Sequence, residues 1–284
     1  MSGTDINELA KRIAQDRSSG ASELARAALA GLRDLAHSAT IESGDALQLL
    51  LTQHAQRLAA LRPSMAPLQN LLRRFAQELV GLPQAPAAAV ARASAFAEAL
   101  IEDSRRSTVE AAAQAARLIR GRRIITHSLS STVREAFRLA ASETLHVTLS
   151  EARPLYEGRA LAEALAAHGI AATYITDAQL GLAAKEAELA LVGADALLRD
   201  GSVVNKAGTY LLALACHDQG IPFYVCCERL KRLDAQQVEL ETMDPAELDV
   251  PGWPGVRIVN RYFDVTPARL VSGWIDEAGC FDTF

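Results

Sequence analysis

The sequence predicts an α/β protein in which an N-terminal helical domain, residues 1–120, precedes a mostly parallel, doubly wound sheet domain, residues 121–284. Two observations predict this order. Apolar residues of the first part recur at helical spacing, as Leu24, Ala28 and Leu32 do. In the second part, short apolar runs of strand-like composition alternate with stretches long enough for helical crossovers, which is typical of a parallel sheet.

The helical part is divided by polar segments that contain glycine, proline or serine. These breaks lie at residues 16–22, 40–45, 62–67 and 81–86. After the last break, the pattern predicts one long helix from about Ala87 to Arg120. That helix should lead directly into the sheet domain.

Six apolar runs are the strand candidates of the second part. They lie at residues 123–128, 145–151, 171–176, 188–195, 222–227 and 256–260. The connections at 158–168 and 209–219 are long enough for helices. Since ligands of doubly wound sheets bind beyond the carboxyl ends of the strands, functional residues are expected just after these runs.

Composition and charge restrict the possible functions. The net charge of −5 and the pI near 5.7 give no positive field, so direct nucleic-acid binding is not expected. The N-terminal segment MSGTDINELAKR carries early acidic residues and no apolar core, unlike a secretory signal, and no apolar run is long enough to span a membrane. We therefore expect a cytoplasmic protein.

The cysteines and the glycine patterns predict neither a metal site nor a cofactor site. The four cysteines have no metal-ligand spacing, and adjacent Cys226 and Cys227 should point to opposite faces of a strand. We interpret all four as reduced thiols of the core. A nucleophile elbow, a Walker loop and a GxGxxG fingerprint are all absent from the sequence.

The segment GADALLRDGSVVNKAGT, residues 193–209, is the strongest local signal of chemistry. Asp195 follows an apolar strand, where a carboxylate is well placed for acid–base work. Lys206 could bring a point charge to a phosphate, and Asn205 could bind sugar hydroxyls. The alternative is a turn acid with solvated neighbours.

A second signal is ITHSLSSTVREAF, residues 125–137, where a strand leads through a hydroxyl-rich turn into a helix. The turn at 130–132 could cap that helix, and the amides of its first turn could receive a phosphate or sugar oxygen. Plain helix capping is the alternative. For His127, base rates favour a hydrogen-bonded core histidine over a catalytic one.

Two segments of the helical part, RSSGAS at 17–22 and RPSMAPL at 62–68, each place an arginine and small residues before a helix. A cation beside a helix N-terminus suits a phosphate dianion. Each signal is weak when taken alone.

The sequence resembles one known family through a series of motifs that extends over most of the chain. In chain order the motifs are RPSMAPL, ITHS, SEARPLYEG, ITDAQLG, GADALLRDGSVVNKAGT, IPFYVCC and NRYFDVTPARLV. They resemble the family of initiation factor 2B alpha, beta and delta subunits and methylthioribose-1-phosphate isomerases, which also includes ribose-1,5-bisphosphate isomerase.

The resemblance implies an N-terminal helical domain packed on a Rossmann-like α/β domain, with the substrate cleft between them. It also implies a homodimer formed through the second domain, with GIPFYVCCERL and YFDVTPARLV exposed as interface segments. The isomerases of the family convert an aldose 1-phosphate into the 1-phospho-ketose with a cysteine and an aspartate. The matching positions in this sequence are Ser128 and Asp195.

Three departures from the family pattern bear on activity. Ser128 replaces the catalytic cysteine, and a hydroxyl is a poor proton shuttle unless a base activates it. The phosphate loop RGA reads SGA at 19–21, so that Arg17 would have to supply the guanidinium beside Gly20. Glu157 replaces the usual glutamine, and its charge would repel a nearby phosphate.

Two functions follow from the motifs and the resemblance. The first is a sugar-phosphate site, with or without aldose-ketose isomerase activity on a pentose 1-phosphate type of substrate. Its expected contacts are phosphate at Arg17, Gly20, Arg62 and Lys206, sugar hydroxyls at Glu157 and Asn205, and proton transfer at Asp195 and Ser128. The second is a non-catalytic regulatory protein that acts through self-assembly or a protein partner.

Overall fold

The computed structural model of the protein describes residues 6–17, 19–142 and 144–284. The chain forms two compact units, Met1–Arg106 and Ser107–Phe284. Within the described residues, no helix is both long and apolar enough to cross a membrane.

The first unit is helical. Its helices are α1 (Ile6–Gln15), α2 (Ala21–Ser38), α3 (Gly44–Ala59), α4 (Ala66–Glu78) and the first part of α5 (Pro86–Ile119). Helices α2, α3, α4 and α5 each begin within one of the predicted breaks. At the start of α3, the Ser43 hydroxyl accepts a hydrogen bond from the Ala46 amide at 3.2 Å, which caps the helix. Leu24, Ala28 and Leu32 of α2 are buried, as their spacing predicts.

The long helix α5 belongs to both units. The sequence places the domain boundary at residue 120, just after this helix, whereas the units divide within it, after Arg106. Packing explains the difference. The last turns of α5 place Ala111, Ala115 and Ile119 in the core beneath the sheet, so these turns belong with the second unit.

The second unit is built on a seven-stranded sheet with the order β12-β11-β7-β4-β1-β2-β3. Among the described residues the strands are β1 (Arg123–Thr126), β2 (His146–Ser150), β3 (Ala171–Ile175), β4 (Leu189–Val192), β5 (Ala196–Leu197), β6 (Val203–Lys206), β7 (Phe223–Cys226), β8 (Thr242–Met243), β9 (Asn260–Arg261), β10 (Phe263–Thr266), β11 (Gly273–Asp276) and β12 (Gly279–Phe281). Neighbours in the large sheet are parallel except β11 and β12. A smaller antiparallel sheet has the order β10-β6-β5.

Helices cover both faces of the large sheet, which confirms the predicted doubly wound α/β fold. The remaining helices are α6 (Ser131–Ala140), α7 (Gly158–Ala167), α8 (Leu180–Ala184) and α9 (Thr209–Gln219). One core lies beneath α5, α6 and α7, and the other beneath α8 and α9. Cys226 packs in the first core and Cys227 in the second, so the adjacent thiols do point to opposite faces.

Two predictions about the second unit are wrong. Residues 256–259 are irregular, and only Asn260 of the candidate strand at 256–260 pairs, in β9. Val256 and Val259 are exposed, so these β-branched residues have no sheet face to pack against. Cys280, expected in the core, is exposed in the outermost strand β12.

Helix α7 begins against the end of strand β2. A Cβ atom at Gly158 would lie 2.1 Å from the carbonyl oxygen of Ser150, so only glycine permits this close approach of helix and strand. The contact fixes the position of Glu157, the residue before the helix.

We predict that Gly158→Ala lowers the free energy of unfolding by about 2 kcal/mol or more, because backbone must move to admit the methyl group. Chemical denaturation would measure the change. Gly181→Ala in α8 is the matched control, because nothing lies within 4 Å of its Cβ position and alanine is the better helix former. Equal effects of the two substitutions would contradict the prediction.

Candidate functional site

Three loops meet beyond the carboxyl ends of β1, β4 and β6. A Cβ atom at Gly193, after β4, would lie 2.5 Å from the Ser130 hydroxyl oxygen. A Cβ atom at Gly208, after β6, would lie 2.7 Å from His127 Nε2. The two glycines therefore allow the loops to pack in direct contact at the sheet edge where ligands of such folds bind.

Ser128, Glu157 and Lys206 form a continuous chain of polar contacts at this edge. The Ser128 hydroxyl donates a hydrogen bond to Glu157 Oε2 at 2.5 Å, and Lys206 Nζ lies 2.7 Å from Glu157 Oε1. Lys206 Nζ also lies 4.3 Å from the ring centre of Tyr262 and 5.7 Å from that of Phe263. The ammonium, which is buried, is thus held by one carboxylate and two aromatic faces.

The backbone around this chain adopts conformations that favour glycine. The φ angles are +67° at Ser128, +56° at Ala152 and +55° at Tyr156, all in the left-handed region. The left-handed conformation is less favourable by about 1–2 kcal/mol for a residue other than glycine. Non-glycine residues in this region cluster at functional sites because the surrounding structure holds them there. Two of them lie in the turn that leads to Glu157, and the third is Ser128 itself.

His127 holds the loops together rather than facing solvent. Its Nε2 lies 2.9 Å from the Ala207 carbonyl oxygen, and its Nδ1 lies 2.6 Å from the Ser150 hydroxyl. Burial lowers the pKa of His127, although the nearby Asp177 carboxylate acts in the opposite direction. A neutral ring with the proton on Nε2 satisfies both contacts. The interpretation of His127 as a hydrogen-bonded core histidine agrees with this geometry.

Asp177 organises the turn that carries Glu157, a role that sequence reasoning missed. Its two carboxylate oxygens accept hydrogen bonds from the amides of Ala152 and Arg153 at 2.9 and 2.8 Å. The only signal in the sequence is its place directly after the strand candidate at 171–176. A carboxylate that binds two consecutive amides fixes the local backbone, and so it fixes the approach to Glu157.

Asp195 and Asn205 lie beside this chain of contacts. The Asp195 amide donates to the Val204 carbonyl at 2.8 Å, which places the aspartate next to the end of β6. Asn205 is buried, and its Nδ2 donates to the Thr209 hydroxyl at 2.9 Å. Because Asn205 and Lys206 are consecutive in a strand, their side chains leave opposite faces. The structure therefore brings Lys206, not Asn205, to Ser128 and Glu157.

A second buried ion pair underlies Asp195, and the sequence reasoning did not identify it. Lys231 Nζ lies 3.8 Å from Glu228 Oε2, and both residues are buried. The Leu233 amide donates to the Leu197 carbonyl at 2.7 Å, which sets this segment beside β5. Burial acts to lower the pKa of Lys231, but the Glu228 and Asp195 carboxylates raise it. The lysine therefore stays charged and attracts Asp195.

The start of α9 is occupied by a carboxylate of the protein itself. Asp264 Oδ2 accepts hydrogen bonds from the Gly208 and Tyr210 amides at 2.7 and 3.1 Å. Burial raises the pKa of Asp264 to about 6, despite these two amides. A phosphate is therefore not expected at this helix N-terminus, because the amides already bind an anion.

The candidate residues of the first unit also form one cluster. Arg62 is buried, and its Nη1 donates to the Asp16 carbonyl at 3.2 Å. The Asp16 carboxylate accepts from the Ser19 amide at 2.7 Å, and Gly20 is the residue before α2. Arg17 turns back to the Ala14 carbonyl at 3.0 Å. Arg17, Gly20 and Arg62 thus belong to one pair of neighbouring loops.

Comparison with known proteins identifies relatives over nearly the whole chain. A model of the initiation factor 2 subunit family matches residues 17–283. A protein of Pyrococcus horikoshii named eIF-2B subunit 2-like is 39% identical over 280 residues, covering 96% of this chain and 95% of its own length. A methylthioribose-1-phosphate isomerase of Pelotomaculum thermopropionicum is 31% identical, covering 97% and 82%. A ribose 1,5-bisphosphate isomerase of Methanocaldococcus jannaschii is 33% identical, covering 56% and 54%.

Solved structures match the fold in the same way. The Pyrococcus horikoshii translation initiation factor eIF-2B superposes with a TM-score of 0.84 at 37% identity and covers 98% of this chain and 96% of that one. A chain of the tetrameric eIF2B-beta2-delta2 complex from C. thermophilum superposes with a TM-score of 0.75 at 20% identity, covering 97% and 90%. These matches agree with the predicted fold and with the family resemblance.

We predict that Asp264 makes the protein less stable as the pH rises. Its pKa in the folded protein is about 6, above the ordinary 3.8, so the folded state holds the proton more tightly than the unfolded state does. Stability from this group is present below about pH 4 and is lost as the pH rises through about 6. The loss should be about 3 kcal/mol, because the pKa differs by about two units between the folded and unfolded states, and Asp264→Asn should remove it. The difference in unfolding free energy between the two proteins, measured from pH 4.5 to 8, checks the sign; a difference independent of pH refutes it.

Proposed function

The chain belongs to the initiation factor 2 subunit family, and on that premise we propose that it binds a sugar phosphate and acts as an aldose-ketose isomerase on a pentose 1-phosphate type of substrate. The observation that carries the proposal is the contact chain of Ser128, Glu157 and Lys206 at the ligand edge of the sheet, with Asp195 beside it. Two relatives with isomerase names support the reaction class.

In this proposal each group has one role. Asp195 moves the proton of the reacting sugar, and Ser128 takes part in the transfer. Lys206 provides the phosphate charge of the second unit, while Glu157 and Asn205 bind hydroxyls. Since the charge of Lys206 is already offset by Glu157, a phosphate dianion needs further cations. Arg17, Gly20 and Arg62 of the first unit are the other proposed phosphate contacts.

A non-catalytic regulatory function is the alternative. Relatives at 39% identity are named after an initiation factor subunit, and Ser128 stands in the place of the family cysteine. Under this alternative the site binds a ligand without turning it over, and the protein acts through self-assembly or a protein partner. A cytoplasmic location belongs to both versions of the proposal, and cell fractionation would test it.

We predict that at least one compound from a panel of pentose 1-phosphates and related sugar phosphates raises the melting temperature of the protein. A ligand that binds only the folded state, at a concentration of about 100 times its Kd, adds about 2.7 kcal/mol to the free energy of unfolding.

Asp195→Asn should abolish turnover and leave most of the affinity for the sugar phosphate, because the amide retains the shape of the carboxylate but cannot accept a proton. Lys206→Ala should chiefly weaken binding, because it removes a charge contact that is present before and during the reaction.

Lys185→Ala is the matched control for Lys206, since it removes an exposed ammonium at the end of α8. Thermal shift would measure binding, and single-turnover assays would measure chemistry. If no sugar phosphate shifts the melting temperature, the proposed function is wrong. Binding without turnover in the wild type would instead favour the regulatory alternative.

We predict a homodimer formed through the second unit. The prediction rests on the family resemblance, and one structural relative is a chain of a tetrameric complex. The interface cannot use residues 223–227 as expected from the sequence, because β7 is a central strand and four of those residues are buried. Leu182 and Leu211, on α8 and α9, are large exposed apolar residues of the same unit. Sedimentation at micromolar concentration should give twice the chain mass, and a monomer there contradicts the prediction.

A further inference from the structure

We propose that Glu157 is the base that accepts the proton of Ser128, so that the two residues act as one proton-transfer pair in the reaction. This inference deepens the proposed function and rests on it. The family resemblance assigns no such role to this position, where the usual residue is a glutamine.

The geometry of the pair is the first argument. The Ser128 hydroxyl points at Glu157 Oε2 over 2.5 Å, which is within the range of a charge-assisted hydrogen bond. An activated hydroxyl usually lies within hydrogen-bond distance of a base, and a third group holds that base in place. Here the third group is Lys206, whose Nζ lies 2.7 Å from the other carboxylate oxygen.

The cost of maintaining this geometry is the second argument. Ser128 has a φ of +67°, and Ala152 and Tyr156, which lead to Glu157, have φ angles of +56° and +55°. Any one of these positions would be easier to fill with glycine. Ser128 itself is in the left-handed region, and Glu157 follows a turn that contains two such residues. The two side chains meet only because the surrounding contacts hold this backbone in place.

Lys206 holds the Glu157 carboxylate in position to act as the base. The Nζ atom of buried Lys206 contacts the carboxylate oxygen that does not face Ser128, and the charge of the lysine offsets the repulsion that Glu157 alone would exert on a phosphate. This removes the objection that the sequence raised against a glutamate at this position.

The proton transfer balances without any co-reactant. When a hydroxyl proton of the bound sugar moves to Ser128 Oγ, the proton that Ser128 carried moves along the hydrogen bond to Glu157 Oε2. Both protons return by the same route when the product forms. The isomerisation transfers hydrogen within the sugar, so no oxidant or reductant is needed.

Kinetics of the full-length protein with the sugar phosphate that binds best would test the pair. Glu157→Gln should lower kcat by about 100-fold or more, the usual contribution of a general base, while KM changes by less than about threefold. Glu163→Gln, an exposed carboxylate on the same helix, is the matched control and should leave kcat unchanged. If Glu157→Gln does not fold, Glu157→Asp, which keeps the charge but draws it back from Ser128, should still lower kcat.

A second test uses a cysteine at position 128, and its first readout, alkylation of the thiol, needs no substrate. In Ser128→Cys the Glu157 carboxylate should raise the pKa of the new thiol and slow its alkylation by iodoacetamide. Adding Glu157→Gln should speed that alkylation by about tenfold at neutral pH, as expected when one charged neighbour is removed. The double variant should also recover kcat relative to Glu157→Gln alone, because a thiol requires less help from a base.

The outcomes separate the two proposals. If no sugar phosphate binds, the proposed function fails and the base assignment fails with it. If the wild type turns over a sugar phosphate but Glu157→Gln keeps the wild-type kcat, or if the two cysteine variants alkylate at one rate, the base assignment is overturned and the proposed function stands. Binding without turnover also overturns the base assignment.

Discussion

The contact between Lys206 and Glu157 is the interaction on which the rest of the site depends. Taking a single charge out of water is far more costly than burying a well-placed pair, so each residue offsets the cost of burying the other. Lys206 comes from β6, and Glu157 comes from the turn before α7. Their 2.7 Å contact therefore ties the small antiparallel sheet to the edge of the large one, and it aims the carboxylate at Ser128.

The same principle of internal neutralisation governs the neighbouring groups. Glu228 is balanced by Lys231, and the Asp264 carboxylate is met by two backbone amides at the start of α9. His127 stays neutral because burial lowers its pKa. These cations and amides thus already have anionic partners within the protein. A phosphate dianion would therefore have to find additional positive charge.

The elements that the sequence predicted are those with a local, periodic signal. The stripe of α2 and the crossover helices α7 and α9 follow from apolar spacing and turn residues within a dozen positions. The candidate strand at 256–260 failed because β-branched composition resembles a strand whether or not a pairing partner exists. The organising role of Asp177 was missed for a different reason, since its partners lie 24 and 25 residues away and nothing local marks them.

The site shows the same limit in its most informative residues. Sequence reasoning identified Ser128 and Glu157 as separate departures from the family pattern, and each by itself weakened the case for catalysis. The structure places the two side chains in contact across 29 residues of sequence. A hydroxyl needs a neighbouring base to move a proton, whereas a thiol next to a carboxylate would have its ionisation suppressed. Serine with glutamate and cysteine with glutamine are therefore each consistent pairs, while the mixed pairs are not. Two substitutions that look independent along the chain thus form one physical change, and they bear on catalysis jointly.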